Sequence, residues 1–153
     1  MGGIGLRATG GAALAPALSL LTALTSLDLS ANYFGDAGAQ ALAPALSSLS
    51  RLACLQLGRN GIGEAGAAAL AAPLRYLTAL SSLGLNPYNH FGENGVRLLI
   101  PALAHLPSLK HLVLFYERES DLMMARLLPE LRAALPPSVF AAAIEHVSTY
   151  PFR

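Results

Sequence analysis

The sequence predicts an α/β fold built as a tandem array of strand–turn–helix units, and three observations carry that expectation. From Leu24 the chain reads LTSLDLSANYFGDAGAQALAPAL, and 28 positions later, from Leu52, it reads LACLQLGRNGIGEAGAAALAAPL. A third copy, LSSLGLNPYNHFGENGVRLLIPAL, opens 28 positions further at Leu80, and a fourth, LKHLVLF, opens 29 beyond that at Leu109. Each copy begins with a strand-like spacing of leucines and continues in helix formers. Self-similarity at a fixed period is what stacked-repeat architectures leave in a sequence, because a single unit cannot bury its apolar face alone.

The first half of each unit is a short strand. In Leu24-x-x-Leu27-x-Leu29 the last two leucines are two apart, which sends both to one face while Ser26, Asp28 and Ser30 point to the other. A turn follows at Asn32, Asn60 and Asn89, each with Phe34, Ile62 or Phe91 two places on and then Gly35, Gly63 or Gly92. A chain leaving a strand carries unpaired backbone donors and acceptors, and an inward Asn amide satisfies both kinds. The three asparagines are therefore expected to stack as a ladder. The second half opens with Asp36, Glu64 or Glu93 and continues in strong helix formers, so a returning helix is expected with an acid in its first turn. A proline recurs late in each helix, at Pro16, Pro44, Pro73, Pro101 and Pro129. Proline removes one backbone bond and crowds the preceding turn, which predicts a kink or a helix end there.

The pattern LxxLxLxxNx(F/I)Gxx(G)xxxLxxxL, repeated every 28 to 29 residues from residue 4 to about 135, resembles the ribonuclease-inhibitor-like subclass of leucine-rich repeats. The resemblance implies a right-handed solenoid with parallel strands on the concave face and helices on the convex face. It divides a single domain, 1–153, into a partial repeat lacking its strand (1–23), full repeats at 24–51, 52–79 and 80–108, a divergent repeat at 109–135 and a C-terminal cap at 136–153. Because Ile4-Gly-Leu-Arg-Ala-Thr-Gly aligns only with the loop and helix half of later units, the chain starts mid-repeat and strand 26–30 should have an open outer edge. Open edges invite pairing with another chain, so self-association through that edge is expected. The third unit carries one extra residue within Leu85-Asn-Pro-Tyr-Asn89, a bulged loop around Pro87. In the fourth unit Glu117 replaces the ladder asparagine. The tail reads in two ways: a degenerate closing strand over Val139–Ile144, or an amphipathic helix on Phe140, Ile144 and Val147. Either would cover the open end of the core, as repeat arrays require.

Composition narrows the function. Ten Lys and Arg against nine Asp and Glu leave a net charge of +1, with no basic excess to neutralise a row of phosphates, so nucleic acid is not an expected partner. The apolar run at residues 12–24 has the length of a signal-peptide core. Yet Leu14-Ala-Pro-Ala-Leu18 returns letter for letter as Leu42-Ala-Pro-Ala-Leu46, which makes it the back half of a repeat unit. No stretch reaches the roughly 18 uninterrupted apolar residues of a membrane span, and MGGIGL lacks the hydroxyl residue that myristoylation prefers at position 6. The single cysteine, Cys54, cannot close an internal disulfide, which favours a reducing, cytoplasmic setting. The histidines, at 90, 105, 111 and 146, show no i, i+4 pair and no acid at metal-ligand spacing, so neither metal nor cofactor is expected. The glycines follow the Asn turns and are turn glycines rather than a phosphate cradle. No catalytic residue stands out, and the chain reads as a non-enzyme.

Binding is the expected activity, since a solenoid presents a long surface that need not deform to accept a partner. The strand period places Ser26, Cys54, Ser82 and His111 in one concave column, Asp28, Gln56, Gly84 and Val113 in the next, and Ser30, Gly58, Asn86 and Phe115 in a third. Small residues fill the N-terminal half. Larger ones gather toward the C-terminal half, where His111, Phe115 and Tyr116 join Arg59, Tyr88 and His90 along the loop rim as the candidate partner-binding set. Aromatics and arginine are what binding hot spots favour. Phe115 and Tyr116 also admit a packing role beneath the irregular loop at 115–121. The partner is an unidentified protein. A GTPase-activating or other enzyme-regulating role, and a purely structural role within a longer array, are the alternatives that the resemblance leaves open.

Overall fold

The computed structural model describes residues 5–85, 87–114 and 120–141, with backbone alone for 120–124. Helices and strands alternate from residue 7 to residue 134: α1 (Arg7–Leu20), β1 (Ser26–Asp28), α2 (Gly35–Ser47), β2 (Cys54–Gln56), α3 (Glu64–Leu74), β3 (Ser82–Gly84), α4 (Gly92–Leu103), β4 (His111–Val113) and α5 (Ser120–Ala134). The strands form one parallel sheet in the order β1-β2-β3-β4. Its register puts Leu27 beside Leu55, Leu55 beside Leu83 and Leu83 beside Leu112. Each helix packs on the next, so the molecule has one layer of strands and one of helices with the core between them. This is the α/β leucine-rich-repeat solenoid that the period predicts.

Leucine columns fill that core. Leu55, Leu83 and Leu112 are at most 1% exposed, as are Leu52, Leu80 and Leu109 three residues before each. Burying one such side chain contributes about 1.5–3 kcal/mol, so the recurrence of the same positions supplies the stability of the stack. The extra residue of the third unit falls after Gly84, in the loop before Asn89, and the strand register continues one for one through Gly84 and Val113. The irregularity belongs to the loop and leaves the ladder intact.

Helices α1 to α4 begin on apolar or glycine residues, Leu6, Phe34, Gly63 and Phe91, none of which supplies a side-chain cap. A neighbour does so instead at α3. Asp36, in the first turn of α2, accepts hydrogen bonds from Gly63 N at 2.7 Å and Gly66 N at 2.9 Å. A Cβ on Gly66 would lie 2.6 Å from that carboxylate oxygen, so only glycine leaves room for the inter-repeat cap. The helices run on past their prolines. Pro73 stands one residue before the last of α3 and Pro129 five before the last of α5. Proline removes only its own N–H bond, and the turn after it keeps its carbonyl acceptors.

At the C-terminal end residues 137–141 are helical, with Phe140 N donating to Pro136 O at 2.9 Å. The closing-strand expectation is therefore corrected over the described part of the tail. Pro137 opens this turn, where the missing N–H would have had no helical partner in any case. Val139 is fully buried and Leu135 nearly so, which covers the end of the core. Ile144 and Val147 lie outside the described residues.

Candidate partner-binding surface

The surface is positioned by the asparagine ladder. Asn60 Oδ1 accepts from Asn32 N at 3.1 Å and Phe34 N at 3.4 Å, while its Nδ2 donates to Leu29 O at 3.0 Å, Leu57 O at 2.9 Å and Gly58 O at 3.3 Å. Asn89 repeats the arrangement: Oδ1 accepts from Asn60 N at 3.1 Å and Ile62 N at 3.0 Å, and Nδ2 donates to Leu57 O at 2.8 Å and to Leu85 O. All three ladder asparagines are buried. One side chain thus serves the backbone of its own turn and of the turn before it, which is why the sequence keeps the residue at that spacing.

The ladder forces its neighbours outward. Ala31, Arg59 and Tyr88 each precede a ladder asparagine, and each is held at φ near 60° in the left-handed region. A residue other than glycine costs roughly 1–2 kcal/mol there. Bonds such as Gly35 N to Asn60 O at 2.8 Å and Ala31 N to Gly58 O at 2.9 Å keep the turns in place. On consecutive turns Arg59 lays its guanidinium over the Tyr88 ring, 5.2 Å from the centroid. Tyr88 stays 54% exposed. An exposed cation–π contact of this kind is worth roughly 0.5–1 kcal/mol and fixes both side chains as one flat element on the rim. His90 is exposed on the same turn, its amide donating to Ile62 O at 2.7 Å.

The structure therefore brings Arg59, Tyr88 and His90 together along one rim. It sets His111 apart, on the sheet, as the exposed last member of the column Ser26, Cys54, Ser82, His111. Phe115 and Tyr116 lie outside the described residues, as does Asn86. In the second column Gln56 lies across Gly84, so close that a Cβ there would be 1.8 Å from its Oε1, and its Nε2 reaches the free Cys54 Sγ at 3.6 Å. Asp28 Oδ1 accepts from Ser30 N at 2.9 Å, and the Ser30 backbone and hydroxyl hold that carboxyl below its usual range.

Sequence reasoning missed Tyr33, which is 69% exposed on the same rim one turn nearer the N-terminus. With Gly5, Arg7, Ala8 and Phe34 it lines an open groove of about 690 Å³. Tyr33 and Arg7 both have positive φ, and Tyr33 occupies the position that Gly61 holds one unit on. The signal was a tyrosine at a repeat position that the next unit fills with glycine.

Among the described residues no helix is long and apolar enough to cross a membrane, and no three His, Cys, Asp or Glu side chains are grouped to hold a metal ion. A repeated leucine ladder, a buried asparagine turn and a returning helix make up the unit of a leucine-rich-repeat solenoid fold. The leucine-rich repeat family model matches the chain at residues 21–43 and again at 52–71, so two consecutive units carry that signature in sequence as well as in fold. A comparison with curated proteins gives no match.

Proposed function

We propose that the chain is a protein-interaction module that holds a folded partner against the concave sheet and the loop rim, with Arg59, Tyr88, His90 and His111 as the described contact residues. Leucine-rich repeats mediate protein–protein interaction in general. The observation that carries the assignment to this surface is the Arg59–Tyr88 pair, an exposed cation–π element on strained turns that a buried ladder holds rigid. Preorganised aromatic and arginine groups give up little conformational freedom on binding, which is why such residues dominate interface energetics. The period of 28 to 29 residues and the full α-helix in each return path support the ribonuclease-inhibitor-like subclass. The single free thiol supports a cytoplasmic setting.

The test is quantitative affinity capture from cell extract with two double variants beside the wild-type chain. Arg59→Ala with Tyr88→Ala should lose the captured protein about tenfold or more. Asp28→Ala with Gln56→Ala, at the bland end of the sheet, should retain it. The opposite pattern would move the site to the N-terminal half of the concave face.

A further inference from the structure

Charge is sorted between the two edges of the stack. Among the residues whose side chains are described, the acids are Asp28 at the end of β1, Asp36, Glu64 and Glu93 in first helical turns, and Glu130, which Arg97 holds. The connections that lead from each helix back to the next strand carry no acid. They carry bases instead: Arg51 between α2 and β2, Arg75 directly after α3, and Lys110 directly before β4, with Arg132 following in the last turn of α5. That is one base on each of four consecutive turns, and all four are exposed. The connections are stacked in register, since Ala53 N donates to Thr25 O at 2.8 Å, Ser81 N to Ala53 O at 2.8 Å and Lys110 N to Ser81 O at 2.9 Å, so the bases run as one stripe along this edge. The ion pairs among the described residues all belong to Arg97 and Arg126, and no carboxylate there answers Arg51, Arg75, Lys110 or Arg132. A helix end attracts a cation through its dipole, which accounts for Arg75 and Arg132. It does not account for Arg51 and Lys110, which stand within the connections themselves. Beside Arg75 on the same edge, Tyr76 is 57% exposed.

We infer that this edge docks an extended acidic segment of a protein partner, which sets carboxylates against Arg51, Arg75, Lys110 and Arg132 in turn and lays an apolar group on Tyr76. Neighbouring turns are about 5 Å apart at the strands and about 8–10 Å apart at the helices, so the four bases span roughly 15–30 Å, the reach of about five to nine extended residues. The occupant follows from charge: four unanswered cations in line, with no acid among them, attract a chain of carboxylates and repel a basic one. A duplex would need a wider basic field than a net charge of +1 supplies. A bilayer would need a continuous apolar face to enter it. On this edge the exposed Leu20 and Tyr76 stand two turns apart, with the polar Ser48 at the same place between them. The stripe lies at the start of the strands and the loop rim at their end, so this inference does not rest on the assignment of Arg59, Tyr88 and His90.

The probe is a synthetic peptide of about nine residues in which glutamate and alanine alternate, with both ends capped, titrated into the full chain while backbone amides are followed by NMR. Shifts should concentrate at Arg51, Arg75, Tyr76, Lys110 and Arg132, and the affinity should fall as salt is added. Arg51→Glu with Arg75→Glu and Lys110→Glu should weaken binding about tenfold or more, since like charges then face each other. All three side chains are exposed, so the melting temperature should be unchanged. Arg51→Gln with Arg75→Gln removes charge without adding repulsion and should give a smaller loss in the same direction. The reversed triple variant should in turn gain affinity for the matching peptide of lysine and alanine. Equal affinity of the wild-type chain and the triple variant for the glutamate peptide would overturn the proposal. So would shifts centred on Arg59 and His90, which would move the acidic segment to the loop rim. Binding to vesicles rich in phosphatidylserine, with no shifts from the peptide, would overturn it in favour of a membrane surface.

Discussion

At the C-terminal end of the stack Leu127, Leu131, Leu135 and Val139 are at most 5% exposed, while at the N-terminal end Leu21 is half exposed and Leu14, Leu24 and Leu27 are only partly covered. The helix layers differ in the reverse sense. α1 sits so close to α2 that a Cβ on Gly11 would lie 3.1 Å from Gly38 backbone atoms. By contrast, α5 is tied to α4 through charge: Arg97 donates to both carboxylate oxygens of Glu130 at 2.9–3.0 Å and to Glu93 at 2.6 Å. The contrast teaches that in a repeat protein a leucine's burial is decided by what stands next to its unit. Leu27 and Leu55 are the same residue at the same repeat position, and among the described residues only Leu55 has a strand on both sides.

The largest expected effect tests that statement directly. Leu55→Ala should destabilise the fold by about 2–5 kcal/mol, the usual range for truncating a buried leucine, because the cavity it leaves is walled on both sides. Leu27→Ala removes the same atoms from a half-open site and should lose roughly half as much or less, as water already reaches part of it. Urea unfolding of the two variants measures the difference. Equal losses would show that the N-terminal end is covered in solution.

A smaller effect separates the rungs of the ladder. Asn60→Ala strands two amide donors and three carbonyls, and should lose about 1–3 kcal/mol. Asn32→Ala should lose less, because its Oδ1 has no partner and only its Nδ2 bonds, to Leu29 O and Ser30 O, disappear. Asn60→Asp keeps the acceptor and loses the donors, so it should fall between wild type and Asn60→Ala. An Asn32→Ala loss as large as that of Asn60→Ala would mean that the terminal acceptor is satisfied in solution.

The parts of this fold that periodicity controls were legible from the letters alone. Strand positions, the two strand columns that begin at Ser26 and Asp28, and the role of Asn60 all follow from a 28-residue offset and the two-residue strand period. What escaped notice arises between units or outside the period. The cap that Asp36 supplies to α3 links residues 27 and 30 apart, and nothing in either unit taken singly announces it. Tyr33 carries no periodic signal, because the position before the recurring Phe34 and Ile62 is a glycine, Gly61, one unit on. The tail was ambiguous because Val139 and Phe140 suit either a strand or a helix, and the deciding feature was Pro137 at the first helical position. At the binding surface, exposure on the rim was readable for Arg59 and Tyr88, but their stacking depends on the left-handed turn that puts both side chains outward.

The smallest expected effect concerns the ionic attachment at the closed end. Hydrogen bonds from Arg97 hold the Glu130 carboxyl below its ordinary value of 4.5, and the same contacts raise the Arg97 guanidinium. A carboxyl whose value is lower in the folded state favours folding above the unfolded value and loses that contribution as pH falls through the folded one. The attachment of α5 should thus be unaffected from neutral pH down to about 5 and weaken only below 4.5. Both partners are surface groups, so added salt should weaken it as well. Amide exchange resolved by helix, corrected for intrinsic pH dependence, reads this out. Exchange in α5 should quicken below pH 4.5 while α2 and α3 keep their protection, and Arg97→Ala should show the quickened rate in α5 already at pH 7. Asp28 also has a lowered value, through its bond to Ser30, but it lies on β1 and would report in the turn after that strand. If Arg97→Ala leaves α5 exchange at pH 7 as it is in the wild-type chain, then the buried Leu127 and Leu131, with the remaining Arg126–Glu93 pair at 3.5 Å, hold the helix without Arg97.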